Sequence, residues 1–274
     1  SVLTISPRQR LAVIIAALLA LFLGAMDSLV VAAAMPTIVA ELGELELYSW
    51  VYSSYLLARA VSLPIFGKLA DLYKNRNLFL AAIGLFIMSS VAAGFAFNMI
   101  SLIIARAFQG IGAGAIFALV YVVLADVSPP QSRGRTLSFA SSVWGIASVL
   151  GPTLGGFIVT YFSWRWIFFV NVPLGAISLL GIALYLVDVR EKKKEAAIDY
   201  WGAVTLSTAI LGLLNTAPAT FTIGSIPFEI PLVIGGTDIL EDREVRECFD
   251  PSQYHLEVRV ARYRQATELD VQQA

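Results

Sequence analysis

Two side chains of opposite sign stand where an ionisable group is hardest to keep. Asp27 lies inside the apolar run 11–36, and Arg106 inside the apolar run 100–124. A charge in hydrocarbon costs at least ~2.5 kcal/mol on insertion scales, so such groups face a bundle interior and find partners. At 1.5 Å of rise per residue, Asp27 lies about 24 Å from the start of its run and Arg106 about 9 Å below the opposite surface, a similar depth. Two readings follow. The pair is a static ion pair, or it is a proton-responsive carboxylate. A nearby guanidinium favours the charged carboxylate and desolvation favours the neutral acid, so displacing the arginine lets Asp27 take a proton. A third intramembrane charge, Arg59, falls about eleven residues into the run 48–66, ~16 Å deep, where snorkelling to the surface is hard. Either it points into a cavity, pairing with Asp27 or an anionic ligand, or it marks a weakened sequence.

Other chemistries find no footing. No nucleophile stands with its base, no carboxylates are paired and no metal-ligand spacing occurs, so enzymatic activity, a cofactor and a metal are not expected. Cys248 is the single cysteine and His255 the single histidine, which excludes an intrachain disulfide and a thiolate or histidine cage. A net charge of −1 and a pI near 5.9, with no clustered basic face, argue against nucleic acid as a partner.

The elements that must position Asp27 and Arg106 are membrane helices. The chain is 58% hydrophobic and only 14% charged, with a mean hydropathy of +0.76, and a soluble domain cannot hide that much apolar surface. Apolar runs of spanning length occupy residues 11–36, 48–66, 78–97, 100–124, 137–160 and 166–187, with a marginal seventh at 201–217. The first run is too long for a cleavable signal and is expected to be the first span. Lysine and arginine set the orientation. Arg8, Arg10, Lys68, Lys74, Arg76, Arg133, Arg135, Arg190, Lys192, Lys193 and Lys194 fall on one side, and Arg165, beside Glu41, Glu44 and Glu46, on the other. The amino terminus is therefore expected in the cytoplasm. Residues 1–190 form the six-span unit, 191–217 a basic loop with the marginal seventh span, and 218–274 a polar tail outside the membrane, to which no function is assigned.

The fifth run holds GIASVLGPTLGG, Gly145–Gly156. Four glycines and a proline are costly in a water-exposed helix, but between lipid-embedded helices small residues are the packing device. At 100° per residue, Ser148, Gly151 and Gly155 share one stripe, and Gly145, Pro152 and Gly156 a neighbouring one.

Five strings resemble the signatures of the major facilitator superfamily, in its fourteen-span drug:proton antiporter branch. They are MDSLVVAAAMP (Met26–Pro36), GKLADLYKNRN (Gly67–Asn77), LIIARAFQGIGAG (Leu102–Gly114), the glycine string above with Gly145, Gly151, Pro152, Gly155 and Gly156 in place, and SWRWIFFVNVPLG (Ser163–Gly175). IDYWGA (Ile198–Ala203) is similar to the start of that branch's seventh span. Departures occur: Ser28 and Ala32 replace the usual threonine and asparagine, and in the loop Gly67, Leu69, Asp71 and Arg76 are in register while Leu72 and Lys74 are not the usual residues. Read as residues, that loop sets an acid and bases at two cytoplasmic helix ends, where they can lock the ends and meet a helix dipole. Trp164, Arg165 and Trp166 would suit the headgroup level.

The resemblance implies an all-α membrane protein, the six-helix N-terminal half of the superfamily fold, built as two inverted three-helix repeats. It implies proton coupling through Asp27 and Arg106. Gln109, within the fourth-span string, and Arg59, on its depth alone and with no counterpart in the family, are the cavity or substrate candidates. The function implied is plasma-membrane efflux of small amphipathic organic compounds in exchange for protons. Its partners would be protons, the lipid bilayer and a second half-transporter. The alternative is a non-transporting or truncated membrane protein that is half of a transporter, because alternating access rocks one half against the other.

Overall fold

The computed structural model describes residues 6–129, 131–187, Thr205, Thr208, 219–223 and 226–230. Its helices are α1 (Pro7–Leu42), α2 (Tyr48–Leu72), α3 (Asn75–Gly94), α4 (Met99–Val127), α5 (Arg133–Tyr161), α6 (Trp166–Phe169) and α7 (Asn171–Tyr185), with a short 3₁₀ turn at Leu45–Leu47. Local chemistry sets the ends. Ser6 caps α1 by accepting from the Gln9 N–H at 3.2 Å, and Gly43 ends it at φ 74°, a conformation glycine adopts at no steric cost. Asn98 and Ser101 form a reciprocal capping box at the start of α4.

Among the described residues, five stretches are long and apolar enough to cross a membrane: α1, α3, α4, α5 and Trp166–Tyr185. The 25-residue α2 has the length, about 38 Å at 1.5 Å per residue, but Tyr52, Ser53, Ser54, Tyr55, Arg59 and Ser62 lower its hydropathy. The sixth span is broken after Phe169. Pro173 explains the weak point, because it has no N–H to donate to the Phe169 carbonyl four residues back.

Helix pairing has the symmetry expected of inverted repeats. α4 packs against α2 and α3, and α1 packs against α5 and α7. Exchanging α1, α2 and α3 for α4, α5 and α7 carries the α2–α4 pair onto α5–α1, and the α3–α4 pair onto α7–α1. Close approach uses glycine both times: a Cβ on Gly110 would lie 2.4 Å from the Tyr55 carbonyl oxygen, and one on Gly155 2.9 Å from that of Val30.

Apolar packing falls into two clusters. One joins Val13–Leu23 of α1 to Ala113–Val127 of α4. The other joins Ala25–Ile38 of α1 to Met99, Leu102 and Ala105 of α4, with Trp164 and Phe168. Asp27, Arg106 and Gln109 lie at the seam between them.

The structure adds one element that the sequence reading left unassigned in the tail, an antiparallel hairpin of β1 (Ala219–Ile223) and β2 (Ile226–Ile230). Ile223 pairs with Ile226 and Ala219 with Ile230. The marginal seventh span, apart from Thr205 and Thr208, lies outside the described residues, as do the IDYWGA string, the 190–194 basic cluster, Cys248 and His255.

Candidate functional site

The polar seam is built from four helices and is fully buried. Asp27 of α1, Arg106 and Gln109 of α4, Ser90 of α3 and Asn171 of α7 are all within the protein interior. Arg106 Nη1 donates to Asp27 Oδ2 at 2.5 Å and to Gln109 Oε1 at 2.9 Å. Gln109 Nε2 donates to Asp27 Oδ1 at 2.9 Å, and Asn171 Nδ2 donates to the same oxygen at 2.7 Å. The carboxylate therefore receives three donors, one of them charged, which is how a buried charge is kept. Below the cation, the Tyr55 ring sits 4.0 Å from the guanidinium carbon, and the Tyr55 hydroxyl donates to the Gly24 carbonyl at 3.1 Å. The ring face adds cation–π attraction in a dry setting.

The cluster is not saturated. Arg106 Nε, Arg106 Nη2 and Asn171 Oδ1 are buried and without hydrogen-bond partners. Most buried polar atoms are paired, so this concentration of spare donors and one spare acceptor around a carboxylate marks a place where bonding can change.

Asp27, Arg106 and Gln109 are brought together as the sequence reading expected for the first two and more tightly for the third. Arg59 is not with them. Its guanidinium carbon lies 4.9 Å from the Phe117 ring centroid and 5.1 Å from that of Trp144, while Asp27 pairs with Arg106. The half-buried arginine thus meets its charge cost on aromatic faces rather than on Asp27.

The two stripes of α5 separate. Gly151 and Gly155 are buried against α1, where Cβ atoms would lie 2.6 Å from Leu29 Cβ and 2.9 Å from the Val30 oxygen. Ser148 is exposed, and Ala147 takes its place in the buried stripe. A Cβ on Gly145 or Gly156 would meet no neighbouring helix within 4 Å, and Pro152 is exposed.

The loop string also divides. Gly67, Leu69 and Asp71 belong to the last turns of α2, and Arg76 to the first turn of α3. Arg76 Nη2 donates to the Ala183 carbonyl of α7 at 2.5 Å, a cation on a helix carboxyl end. Asn75 Nδ2 donates to Asp126 Oδ2 at 3.3 Å, so three helix ends are tied together.

At the opposite end, Trp164 departs from expectation. It is buried at 1% exposure, with its indole N–H donating to Glu41 Oε2 at 2.7 Å, and Arg165 pairs with the other oxygen of Glu41. This clamp joins the end of α1 to the α5–α6 connection. Trp166, at 54% exposure, keeps the belt role.

Sequence reasoning missed Asn171, Ser90 and Tyr55. A signal existed for Asn171: an amide beside Pro173 in an otherwise apolar span. Ser90 and Tyr55 gave none, since a serine or tyrosine in a helix is usually satisfied locally.

Three comparisons bear on this arrangement. The sequence matches the family model described as Major Facilitator Superfamily over residues 17–238. It is 41% identical over 202 residues to "Multidrug resistance protein 3" of Bacillus subtilis (strain 168), covering 74% of this chain and 39% of that protein. It is 35% identical over 231 residues to "Efflux pump FUS6" of Gibberella moniliformis, covering 81% of this chain and 41% of that one. The chain thus spans about two fifths of the length of these curated relatives. In fold it resembles the human organic anion transporter MFSD10, with a TM-score of 0.62 at 17% identity, covering 83% of this chain and 59% of that one. It also resembles the proton:xylose symporter XylE, with a TM-score of 0.60 at 17% identity, covering 66% of this chain and 46% of that one.

Proposed function

Because the chain belongs to the Major Facilitator Superfamily, we propose that it supplies the proton-coupling half of an efflux antiporter that exports small amphipathic organic compounds in exchange for protons. The observation that carries this reading is Asp27, buried between Arg106, Gln109 and Asn171 at the seam of four helices. Among the described residues of the spans it is the deep acidic side chain; Asp71 and Asp126 lie at helix ends. Proton entry would neutralise Asp27 and weaken its hold on Arg106, loosening α1 from α4. The names of the relatives, a multidrug resistance protein and an efflux pump, support the substrate class. Orientation follows the lysine and arginine bias, with the amino terminus in the cytoplasm and the chain in the plasma membrane.

A second half-transporter is the proposed partner, favoured by the open stripe of α5. Gly145, Pro152 and Gly156 offer a flat small-residue face with nothing against it, the surface a further helix packs on.

The test uses purified protein in vesicles with an imposed pH gradient and ethidium as the amphipathic probe. The chain is assayed alone and co-reconstituted with a second half. Gradient-driven ethidium movement is expected when both halves are present and is abolished by Asp27→Asn. Unchanged movement in Asp27→Asn would remove Asp27 from the mechanism, and no movement in any arrangement would remove the antiporter reading.

A further inference from the structure

We propose that Asn171, at the break in the sixth span, is a positioning residue that reads the protonation state of Asp27 by turning its side-chain amide over. This rests on Asp27 being the group that takes the proton.

The argument begins with what surrounds the carboxylate. Every group that touches Asp27 is a donor: Arg106 Nη1, Gln109 Nε2 and Asn171 Nδ2. That set suits an ionised carboxylate, which only accepts. A protonated carboxyl has an O–H that must itself find an acceptor, and leaving it buried without one is costly. Two amide oxygens are near enough to serve. Gln109 Oε1 is already engaged by Arg106 Nη1 at 2.9 Å, so turning that amide would set its N–H groups against the guanidinium. Asn171 Oδ1 is buried and unpartnered. A half-turn about the last side-chain bond of Asn171 exchanges its nitrogen and oxygen. The oxygen then faces Asp27 Oδ1, now 2.7 Å from Nδ2, and Ser90 Oγ, now 3.0 Å from it.

The two states share the same groups differently, with Nδ2 and Oδ1 exchanging places. With Asp27 charged, Nδ2 donates both to Asp27 and to Ser90 Oγ, which donates onward to the Phe168 carbonyl at 2.9 Å. With Asp27 protonated, a proton from water is on Oδ1, the carboxyl O–H donates to Asn171 Oδ1, and no other covalent bond changes. Ser90 Oγ–H turns from the Phe168 carbonyl onto the same amide oxygen, since two acceptors would otherwise face each other. Residues 168 to 171 flank the break between α6 and α7, and Pro173 leaves the Phe169 carbonyl without its helical donor, so the amide acts where the span yields most easily.

The titratable groups around Asp27 are few. α4 presents Arg106, and α2 presents Tyr55 beneath it, with Tyr52 and Arg59 near Tyr55. α5 carries none between Arg135 and Tyr161, α3 only Arg76 at its far end, α7 only Tyr185 at its far end, and α6 none.

The experiment reads Asp27 directly. The full 274-residue chain in lipid nanodiscs is titrated by infrared spectroscopy, with the Asp27 carboxyl band assigned by its loss in Asp27→Asn. Asn171→Leu removes a charge-assisted hydrogen bond to the carboxylate and a weaker one to the acid, so protons should bind about tenfold more tightly, an upward move of about one pH unit in the midpoint. Ser90→Ala, which frees the amide without removing it, should move the midpoint the same way by less. A parental midpoint in Asn171→Leu, with parental helicity and melting, overturns the assignment while leaving the proposed function intact. If Asn171→Leu does not fold, a parental midpoint in Ser90→Ala overturns it instead. An Asp27 band that never titrates in the parent overturns both readings together.

Discussion

Replacing Asp27 by asparagine tests the polar seam most directly, because the two side chains have the same shape and differ in charge and in one donor group. Asp27 Oδ1 receives Gln109 Nε2 and Asn171 Nδ2, and Oδ2 receives Arg106 Nη1 at 2.5 Å. The asparagine oxygen can stay with the two amides, but its NH₂ then points at Arg106 Nη1, donor against donor. Turned over, it points at two donors instead. With the oxygen on the amides, Arg106, at 0% exposure, keeps its charge with only Gln109 Oε1 and the Tyr55 ring as partners; turned over, it gains a neutral acceptor where a carboxylate stood. Breaking a buried pair by removing one partner costs about 3–5 kcal/mol, mostly from the stranded charge. The donor conflict places Asp27→Asn toward the upper end of that range. Unfolding in mixed micelles at increasing SDS fraction, followed by circular dichroism, measures it. Asp27→Asn combined with Arg106→Gln removes the stranded charge and should recover about half of the loss. If Asp27→Asn unfolds within about 1 kcal/mol of the parent, as an exposed pair would, the seam is water-filled and the reasoning from burial fails.

The other predictions concern packing, cations and orientation. Gly155→Leu should destabilise by about 1–3 kcal/mol through overpacking against Val30 and Ala33, whereas Gly145→Leu should unfold like the parent and impair only transport that needs a second half; equal stability losses in both would refute the assignment of the two stripes. Arg106→Lys should abolish gradient-driven transport because the planar guanidinium that lies on the Tyr55 ring while its Nη1 serves both Asp27 and Gln109 is lost, and near-parental transport would count against it. Arg59→Gln should cost about 0.5–2 kcal/mol from the lost cation–π contacts and shift the emission of Trp144, read as the difference from an Arg59→Gln protein lacking Trp144. In a Cys248→Ser background, a cysteine at Glu44 should be labelled from outside intact cells and one at Lys193 should not; the reverse pattern would invert the orientation.

The helices and the main ion pair were legible in the sequence because hydrocarbon imposes two rules that leave marks in composition. A span must be apolar over about 20 residues, and a charge within it must have a partner, so Asp27 and Arg106 implied each other by depth alone. The same rule left Arg59 open. Depth gives a charge's cost but not the chemistry that meets it, and the faces of Phe117 and Trp144 cannot be told in sequence from ordinary apolar residues. Trp164 failed for a related reason. A tryptophan beside an arginine at a span end suits the headgroups, and only the arrival of Glu41 from α1 makes it a buried clamp. Asn171 was visible as a residue and silent as a role, since its meaning depends on α1 and α3 converging on it, contacts separated by 144 and 81 positions in the chain.

The fifth helix shows where periodicity stops and topology begins. Both of its small-residue stripes are equally suited to close packing when read at 100° per residue, and nothing in the string says which one the chain will close on itself. The inverted pairing decides it. Because α4 lies against α2, the matching relation sets α5 against α1, and Gly151 and Gly155 are the stripe that meets it. That uses one stripe and leaves Gly145, Pro152 and Gly156 facing away. In lipid an open glycine face gains little, since hydrocarbon packs as well on leucine, while each glycine costs about 1 kcal/mol in a helix relative to alanine. On the proposed function, a helix of the second half would pack on this face, where a Cβ at Gly145 or Gly156 would meet nothing of the six-span unit within 4 Å. The proposed second half, in a chain spanning about two fifths of its relatives' length, is where such a helix would come from.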